Sequence, residues 1–499
     1  MTKKVLLLIL DGWGIGKSEN DNPIYLARPL FWDKMLTEYP NSVINTREEN
    51  VGLPFGCLSG SEVGHLTLGA GRVVLQGAMR IDNSFKSKEF FENDVLKKAV
   101  EQVRKLNSRI HFVGLLSDGG IHAHFNHLLG LIDWAKQNDL PVSLHLFLDG
   151  RDMSPMSALK LLQEKILPVL NDKIKISTIC GRSISMDRSE NWDRTEKIFK
   201  LLTNIEETKN DLIKILEKNY EENISDEFIE PISLNNDKIK QDDVVLFFNF
   251  RADRMRQLLR LFVEHAPKTV QDNIVVPKNL FLITMTEYDS DFKEAWVLFP
   301  PYYPKNTLGE WLSLNNLRQF RITETEKYAH ITYFFNGGQE QVFPGEDRLV
   351  IPSLGLTNYA GHPEMSLDEI VSSLERVLLK KEYDFVVCNF ANGDMVGHSG
   401  DLKAGIKAVK YIDKALEKII SICQKNEYTA VITADHGNIE KMIEGQFPNT
   451  AHTFNDVPLL VTDKKIKLRK KGFLYEVAPT ILKIMELKKP DEMTGEALF

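Results

Sequence analysis

Short apolar runs recur along the chain at residues 5–10, 110–116, 142–148, 174–179, 244–248, 280–285, 328–334, 385–390 and 429–433, with longer amphipathic stretches between them. Runs this short suit buried strands, and strands alternating with helices predict an α/β fold of parallel sheets covered by helices. The five runs between 110 and 285 each end in polar chemistry: SDGGIH at 117–122, DGRD at 149–152, GR at 181–182, NFRADR at 249–254 and TEYD at 286–289. Five strands with such carboxyl ends predict one sheet with a single functional edge. Residues 209–241 are charged and weakly periodic, which reads as peripheral helices and loops.

The remaining runs form a second block with a different content. Asp11 closes the run 5–10, and five further candidate metal ligands, Asp394, His398, Asp435, His436 and His452, fall in the last quarter of the chain. Asp394 and His398 stand four apart, so a helical turn points both to one side, and Asp435-His436 follows a strand that delivers adjacent ligands at its carboxyl end. For Asp11 to join them, the first and last segments must fold together around an insertion. The expected division is a discontinuous domain, 1–76 and 310–499, with an inserted domain at 77–309. Gly and Pro accumulate near 76–79 and 300–310, where the chain crosses and a hinge is expected.

Bulk properties narrow the functional classes. A chain of 499 residues exceeds one ordinary core. Acidic residues outnumber basic ones 70 to 62, a formal charge of -8, which argues against a general binder of nucleic acid or anionic membrane. Cys57, Cys180, Cys388 and Cys423 are far apart and form no Cys-x-x-Cys pair, so a reducing cytoplasm fits best. The opening run, including Met1 and Thr2, looks like the start of a signal peptide, but it stops at Asp11 without a small-residue cleavage site and reads as a core strand. No stretch approaches the roughly 20 apolar residues of a membrane span.

Six oxygen and nitrogen ligands suit two divalent ions, which in pairs about 3.5–4 Å apart stabilise a phosphoryl displacement. Ser59, Ser61 and Thr67 are hydroxyls in a turn-rich stretch leading into a helix; Ser61 reads either as an N-cap or as a metal-activated nucleophile. Arg251 and Arg254, three apart at the start of a helical stretch 252–262, are placed to grip one anion, and Arg251 follows a Phe-rich strand where burial would demand an anionic partner. Arg256 and Arg260 read as a solvated face. Arg151-Asp152 offers an anion ligand beside a general base, His122 and His124 lie on a similar strand exit, and Lys327 reads equally as a charge stabiliser or as a surface ion pair with Glu324 or Glu326.

Together these residues resemble the cofactor-independent phosphoglycerate mutases of the alkaline phosphatase superfamily. The motifs are LDGWG at 10–14, SEVGH at 61–65, GAGR at 69–72, DGRD at 149–152, MDR at 186–188, FRADR at 250–254, NTLGE at 306–310, TEKYAH at 325–330, NFANGD at 389–394 and ADHGN at 434–438, in family order over nearly the whole chain. The resemblance implies a split phosphatase-like domain with two Mn2+ ions and an inserted transferase domain. One ion would be held by Asp394, His398 and His452, the other by Asp11, Ser61, Asp435 and His436; mixed ligands of this kind also accept Zn2+, Co2+ or Mg2+. Substrate ligands would be His122, Arg151, Asp152, Arg182, Arg188, Arg251, Arg254 and Lys327, with Ser61 as nucleophile and Asp152 and Lys327 as its catalytic partners.

The implied activity is interconversion of 3-phosphoglycerate and 2-phosphoglycerate in glycolysis and gluconeogenesis through phosphoserine. It needs no 2,3-bisphosphoglycerate and implies a cytoplasmic monomer acting on a small molecule, with neither nucleic acid nor membrane as partner. The alternatives are a metal-dependent phosphomonoesterase, a sugar-phosphate mutase and a silent metal-binding protein. The chain departs from the family pattern at Leu58, Ser59 and Gly60 before the SEVGH run, at 453–458 after His452, and at 355–362, and none of these changes removes a carried-over ligand.

Overall fold

The computed structural model describes residues 3–204, 207–209 and 211–499. Met1 and Thr2, which head the signal-like opening run, and Asn210, within the segment read as peripheral, lie outside the described residues. The chain divides into two compact units: Met1–Gln76 with Tyr303–Phe499, and Gly77–Tyr302. The outer unit resumes at Tyr303, seven residues before the position read from the sequence. No helix among the described residues is long and apolar enough to cross a membrane.

The outer unit is built on an eight-stranded sheet in the order Glu346–Ile351, Gln319–Glu324, Phe385–Phe390, Lys4–Leu10, Tyr428–Thr433, Val457–Val461, Asn41–Asn45, Lys471–Phe473. The first five strands are mutually parallel, and Val457–Val461 runs antiparallel to both its neighbours. Lys4–Leu10 is central, and its apolar residues are buried because helices cover both faces of a sheet of this kind. Leu10 pairs with Phe390 and Ile9 with Thr433, so the three central strands end level with one another. Among the covering helices, Leu402–Lys425 buries Ala404, Ala408, Ile412, Leu416, Ile419 and Cys423 along one stripe, and Asp401 caps it by accepting from the backbone of Lys403 and Ala404.

One expected strand is corrected. Residues 328–334 are helical: a short turn at Thr325–Lys327 leads into a single wide helical turn at His330–Phe334. A seven-residue apolar run does not distinguish strand from helix by periodicity. The strand at that place is Gln319–Glu324, whose polar sequence conceals it. Arg321 is fully buried, donating to the Ile331 carbonyl at 2.6 Å and to Gln319 Oε1 at 2.9 Å and pairing with Glu346 at 3.4 Å.

The inserted unit carries a seven-stranded sheet ordered Ile232–Ser233, Ile174–Gly181, Val142–Leu148, Ile110–Leu116, Val244–Phe247, Phe281–Thr286, Ala295–Phe299. All pairs are parallel except the edge strand Ile232–Ser233, which lies within the segment read as peripheral. The five expected strands are adjacent, and their carboxyl ends share one edge: Leu116 pairs with Leu148 and Leu148 with Gly181. The helical stretch expected at 252–262 begins only at Arg256, so Arg251 and Arg254 sit on the turn before it.

Candidate functional site

In the outer unit the sheet edge itself assembles the site. Asp11 follows the end of Lys4–Leu10, Asp394 lies on the helix Asn392–Gly397 that follows Phe385–Phe390, Asp435 and His436 follow Tyr428–Thr433, and Lys327 lies on the turn after Gln319–Glu324. His452 reaches the same edge because it precedes Val457–Val461, the strand that runs the other way. Gly12 makes this crowding possible: its φ is +72°, and a Cβ there would lie 2.8 Å from the Asp394 backbone.

Two groups of side chains able to hold a metal ion result among the described residues, Asp394 with His398 and His452, and Asp11 with Asp435 and His436, each with its donor atoms within 4.8 Å of one another. In the first, His398 Nε2 and His452 Nε2 are 3.1 Å apart, and both are 3.2 Å from Asp394 Oδ1. His398 Nδ1 donates to the Thr450 carbonyl at 2.7 Å and His452 Nδ1 to the Ser59 carbonyl at 2.7 Å. A carbonyl can only accept, so each Nδ1 carries a proton and each ring turns its Nε2 inward. Two imidazole nitrogens and a carboxylate oxygen converging on one point are a donor set that fits a divalent ion.

The second group has the same excess of negative charge. Asp11, Asp394 and Asp435 are buried against a single ammonium, Lys327. Burial works against the charged form of His436, but Asp435, Asp11 and Asp394 outweigh it and push its imidazole up to about 10. Burial likewise opposes ionisation of Asp11, and Lys327 and His436 nevertheless hold it well below the carboxylate range. The raised His436 contributes stability to the metal-free fold that is fully present below its ordinary value near 6.5 and is lost as pH climbs through about 10. A bound divalent ion supplies the same counter-charge without a proton. The gain in Tm from saturating metal over chelator should therefore grow from pH 6 to pH 9; a gain that shrinks with pH in paired thermal melts would contradict this charge balance.

Ser61 stands where both groups meet. It is the first residue of the helix Ser61–Ala70, and Gly60 holds the N-cap position, so the capping role open to Ser61 from sequence is not what its side chain does. Its Oγ lies 2.7 Å from Lys327 Nζ, 3.0 Å from His436 Nε2 and 3.0 Å from Asp11 Oδ1. The Lys327 ammonium and the helix N-terminus together favour the alkoxide of this serine. Lys327 is buried and not in a surface ion pair: its ammonium donates to Asp11 Oδ1 at 2.8 Å and Asp394 Oδ2 at 2.6 Å, and although burial opposes its charge these carboxylates raise its pKa. Glu324 instead accepts from Ser353, and Glu326 from Tyr359. Ser61, Lys327, Asp394, His398 and His452 line a cleft of about 410 Å3. Thr67 bonds within its own helix, to the Val63 carbonyl.

Sequence reasoning missed the residues that aim these ligands. His65 is fully buried, one helical turn after Ser61. Asn389 Nδ2 donates to Asp11 Oδ2 at 2.7 Å and to His65 Nε2 at 3.0 Å, which leaves the proton on His65 Nδ1, 2.9 Å from the Ser61 carbonyl and 3.2 Å from Asp435 Oδ2. Asn438 Nδ2 donates to Asp394 Oδ1 at 3.0 Å. All three lie within the motifs that carry the resemblance, so the signal was a polar residue beside a ligand.

In the inserted unit several of the other expected residues gather around two carboxylates that were not singled out, Asp149 and Asp253. Arg182 is buried and donates to Asp149 at 2.6 Å and Asp152 at 2.5 Å. Asp253 receives Arg188 at 2.7 Å and Arg251 at 3.1 Å, with His122 Nδ1 at 3.4 Å. Arg251 is therefore exposed and paired with a neighbour two residues away, not buried as its Phe-rich approach suggested. Arg254 donates to the Met186 carbonyl at 3.2 Å, so the two arginines do not share one helical face. Arg151 is exposed and lies 3.3 Å from Glu227. Burial, then nearby Arg188 and Arg182, lowers the Arg254 pKa; burial, then Arg182, brings His122 down to about 4. An arginine whose charge is opposed by neighbouring arginines, as Arg254 is, suits an anionic ligand. His124 has a structural task, accepting from Asn126 N as the cap of Phe125–Gln137. Arg256 and Arg260 pair with Asp289 and Glu190 at the surface.

The model of the metalloenzyme superfamily matches residues 3–489. A 2,3-bisphosphoglycerate-independent phosphoglycerate mutase of Clostridium botulinum (strain ATCC 19397 / Type A) is 43% identical over 512 aligned positions, covering 100% of both chains. One from Antithamnion sp. is 41% identical over 505, covering 99% of this chain and 98% of its own. Among solved structures, Leishmania mexicana phosphoglycerate mutase at low cobalt concentration superposes with a TM-score of 0.60 at 28% identity, covering 100% of this chain and 98% of that one. A full-length match to that superfamily and relatives above 40% identity over their whole length establish that the chain belongs to the 2,3-bisphosphoglycerate-independent phosphoglycerate mutases of the metalloenzyme superfamily.

Proposed function

We propose that this protein interconverts 3-phosphoglycerate and 2-phosphoglycerate through a phosphoserine at Ser61, without 2,3-bisphosphoglycerate. The observation that carries the proposal is Ser61 Oγ held by Lys327 at 2.7 Å and His436 at 3.0 Å between two ligand clusters. A serine so placed is a nucleophile with its charge already compensated. Asp394, His398 and His452 hold one divalent ion and Asp11, Ser61, Asp435 and His436 the other, with Mn2+ as the metal. Such ions, when bound, lower the pKa of the serine hydroxyl and neutralise phosphoryl oxygens.

Ser61 Oγ, its proton already released to solvent, attacks phosphorus and the bond to the C3 oxygen of glycerate breaks, that oxygen taking the proton that Asp152, entering the cycle as the acid, supplies. The C2 hydroxyl then attacks phosphoserine, returns a proton to Asp152, and releases the Ser61 oxygen. Lys327 stabilises the phosphoryl oxygens in both steps. His122, Arg151, Arg182, Arg188, Arg251 and Arg254 bind the carboxylate and phosphate, with Arg182 also holding the Asp152 carboxylate in place. The proposal includes a monomeric, cytoplasmic enzyme; its four cysteines are free thiols, three of them buried, which suits a reducing compartment.

The test is incubation of 3-phosphoglycerate with the protein and Mn2+ in the absence of 2,3-bisphosphoglycerate, followed by 31P NMR. Formation of 2-phosphoglycerate, lost on chelation and restored by metal, is the expected outcome. Release of mainly inorganic phosphate would replace the mutase by a phosphomonoesterase, and neither product would leave a silent metal-binding protein.

A further inference from the structure

We propose that Glu440 is a positioning residue that sets the geometry of both ion clusters without binding either ion. This rests on the proposed function, in which the two clusters hold divalent ions. Glu440 lies four and five residues beyond His436 and Asp435 in a region rich in metal-ligating side chains, yet its carboxylate is fully engaged elsewhere and is 1% exposed. Oε2 accepts from Gly14 N at 3.0 Å and Asn438 N at 2.8 Å. Oε1 accepts from Asn455 Nδ2 at 2.9 Å and from the Thr453 hydroxyl.

Those four donors belong to three different segments. Gly14 is on the loop that carries Asp11, Asn438 on the loop that carries Asp435 and His436, and Thr453 and Asn455 on the loop that carries His452. Asn438 extends the same network to the fourth segment through its side-chain bond to Asp394 at 3.0 Å. One buried carboxylate thus ties together every stretch of chain that supplies a histidine or aspartate ligand. Two glycines show how closely these loops pack on it. A Cβ on Gly14 would lie 2.3 Å from Glu440 Cδ, and one on Gly437 would lie 2.4 Å from its Oε1.

Only a carboxylate satisfies this arrangement, because all four partners donate and both oxygens must accept twice. An amide of the same shape would turn an NH2 group toward two donors. Its four partners are uncharged, so the negative charge of Glu440 also remains available to favour cations at the neighbouring clusters.

The test uses Co2+ as a spectroscopic probe in the full-length protein stripped of metal. Glu440→Gln should weaken Co2+ binding at both clusters by about 10- to 100-fold and alter the visible absorption bands. Because the substrate-binding arginines lie in the other unit, kcat should fall at saturating metal while KM for 3-phosphoglycerate stays within about twofold. Thr453→Val, which removes one donor and preserves shape, should give a smaller loss confined to the cluster containing His452. Wild-type Co2+ affinity and spectrum in both variants, with only a lowered Tm, would overturn the proposal and leave Glu440 a structural residue. If Glu440→Gln does not fold, Thr453→Val and Asn455→Ala decide in its place, since unchanged Co2+ binding in both overturns the proposal equally. Failure of the unaltered protein to bind Co2+ would instead sink the two-ion reading, and this inference with it.

Discussion

Ser61→Ala should lower interconversion of 3- and 2-phosphoglycerate by about 10⁴-fold or more, while metal content at the Asp394, His398 and His452 cluster stays at its wild-type level. The size of the loss follows from what the hydroxyl does and does not support. Ser61 is not the cap of its helix, that position being held by Gly60, so alanine at the first helical residue removes no capping bond. Lys327 keeps Asp11 and Asp394 as partners, and Asp11 keeps Asn389, so none of the buried charges around Ser61 is stranded. The missing atom is the proposed nucleophile, which is also one proposed ligand of the second ion and none of the first. Acid quench with radiolabelled 3-phosphoglycerate should trap label on the wild-type chain and none on the variant, and metal analysis should show the first cluster filled in both. Activity within a hundredfold of wild type would remove Ser61 from the mechanism.

How much of this was legible in the sequence depended on the physical origin of each signal. The gathering of candidate ligands at the carboxyl ends of parallel strands was readable because the strands are apolar, short and bounded by charged or glycine-rich turns, as at 5–10, 385–390 and 429–433. Gln319–Glu324 was not readable, because its inward residues include Gln319 and Arg321, whose burial is repaid by partners on other elements. The antiparallel strand Val457–Val461 was likewise missed, and with it the reason His452 arrives at the common edge. That the Ser61 side chain meets Lys327 and His436, and that Lys327 is buried and not at the surface, turned on contacts between residues more than 200 positions apart. Local propensity carries no information at that separation. Asp149, Asp253, His65 and Asn389 were visible as letters within motifs, but their work is to hold other side chains, which becomes apparent only from distances.

Lys327→Met should lower kcat by about 10²- to 10³-fold and yet leave divalent-ion affinity unchanged or increased. The two effects have opposite signs because the ammonium serves the reaction and competes with the ions. Its Nζ is 2.7 Å from Ser61 Oγ, so in the proposed mechanism it would balance charge on a phosphoryl group attached there. It also donates to Asp11 and Asp394, one carboxylate from each ligand cluster, and thereby offsets negative charge that otherwise attracts a divalent cation. Methionine keeps most of the apolar stem and removes the charge. In the metal-free protein three carboxylates would then lose their shared ammonium, so the variant should melt below wild type in chelator and recover most of that difference in saturating Mn2+. Calorimetric titration with Mn2+ beside steady-state kinetics separates the two roles. A variant that loses metal affinity in step with activity would show that Lys327 supports the ligand geometry, and the phosphoryl-stabilising role assigned to it would fall.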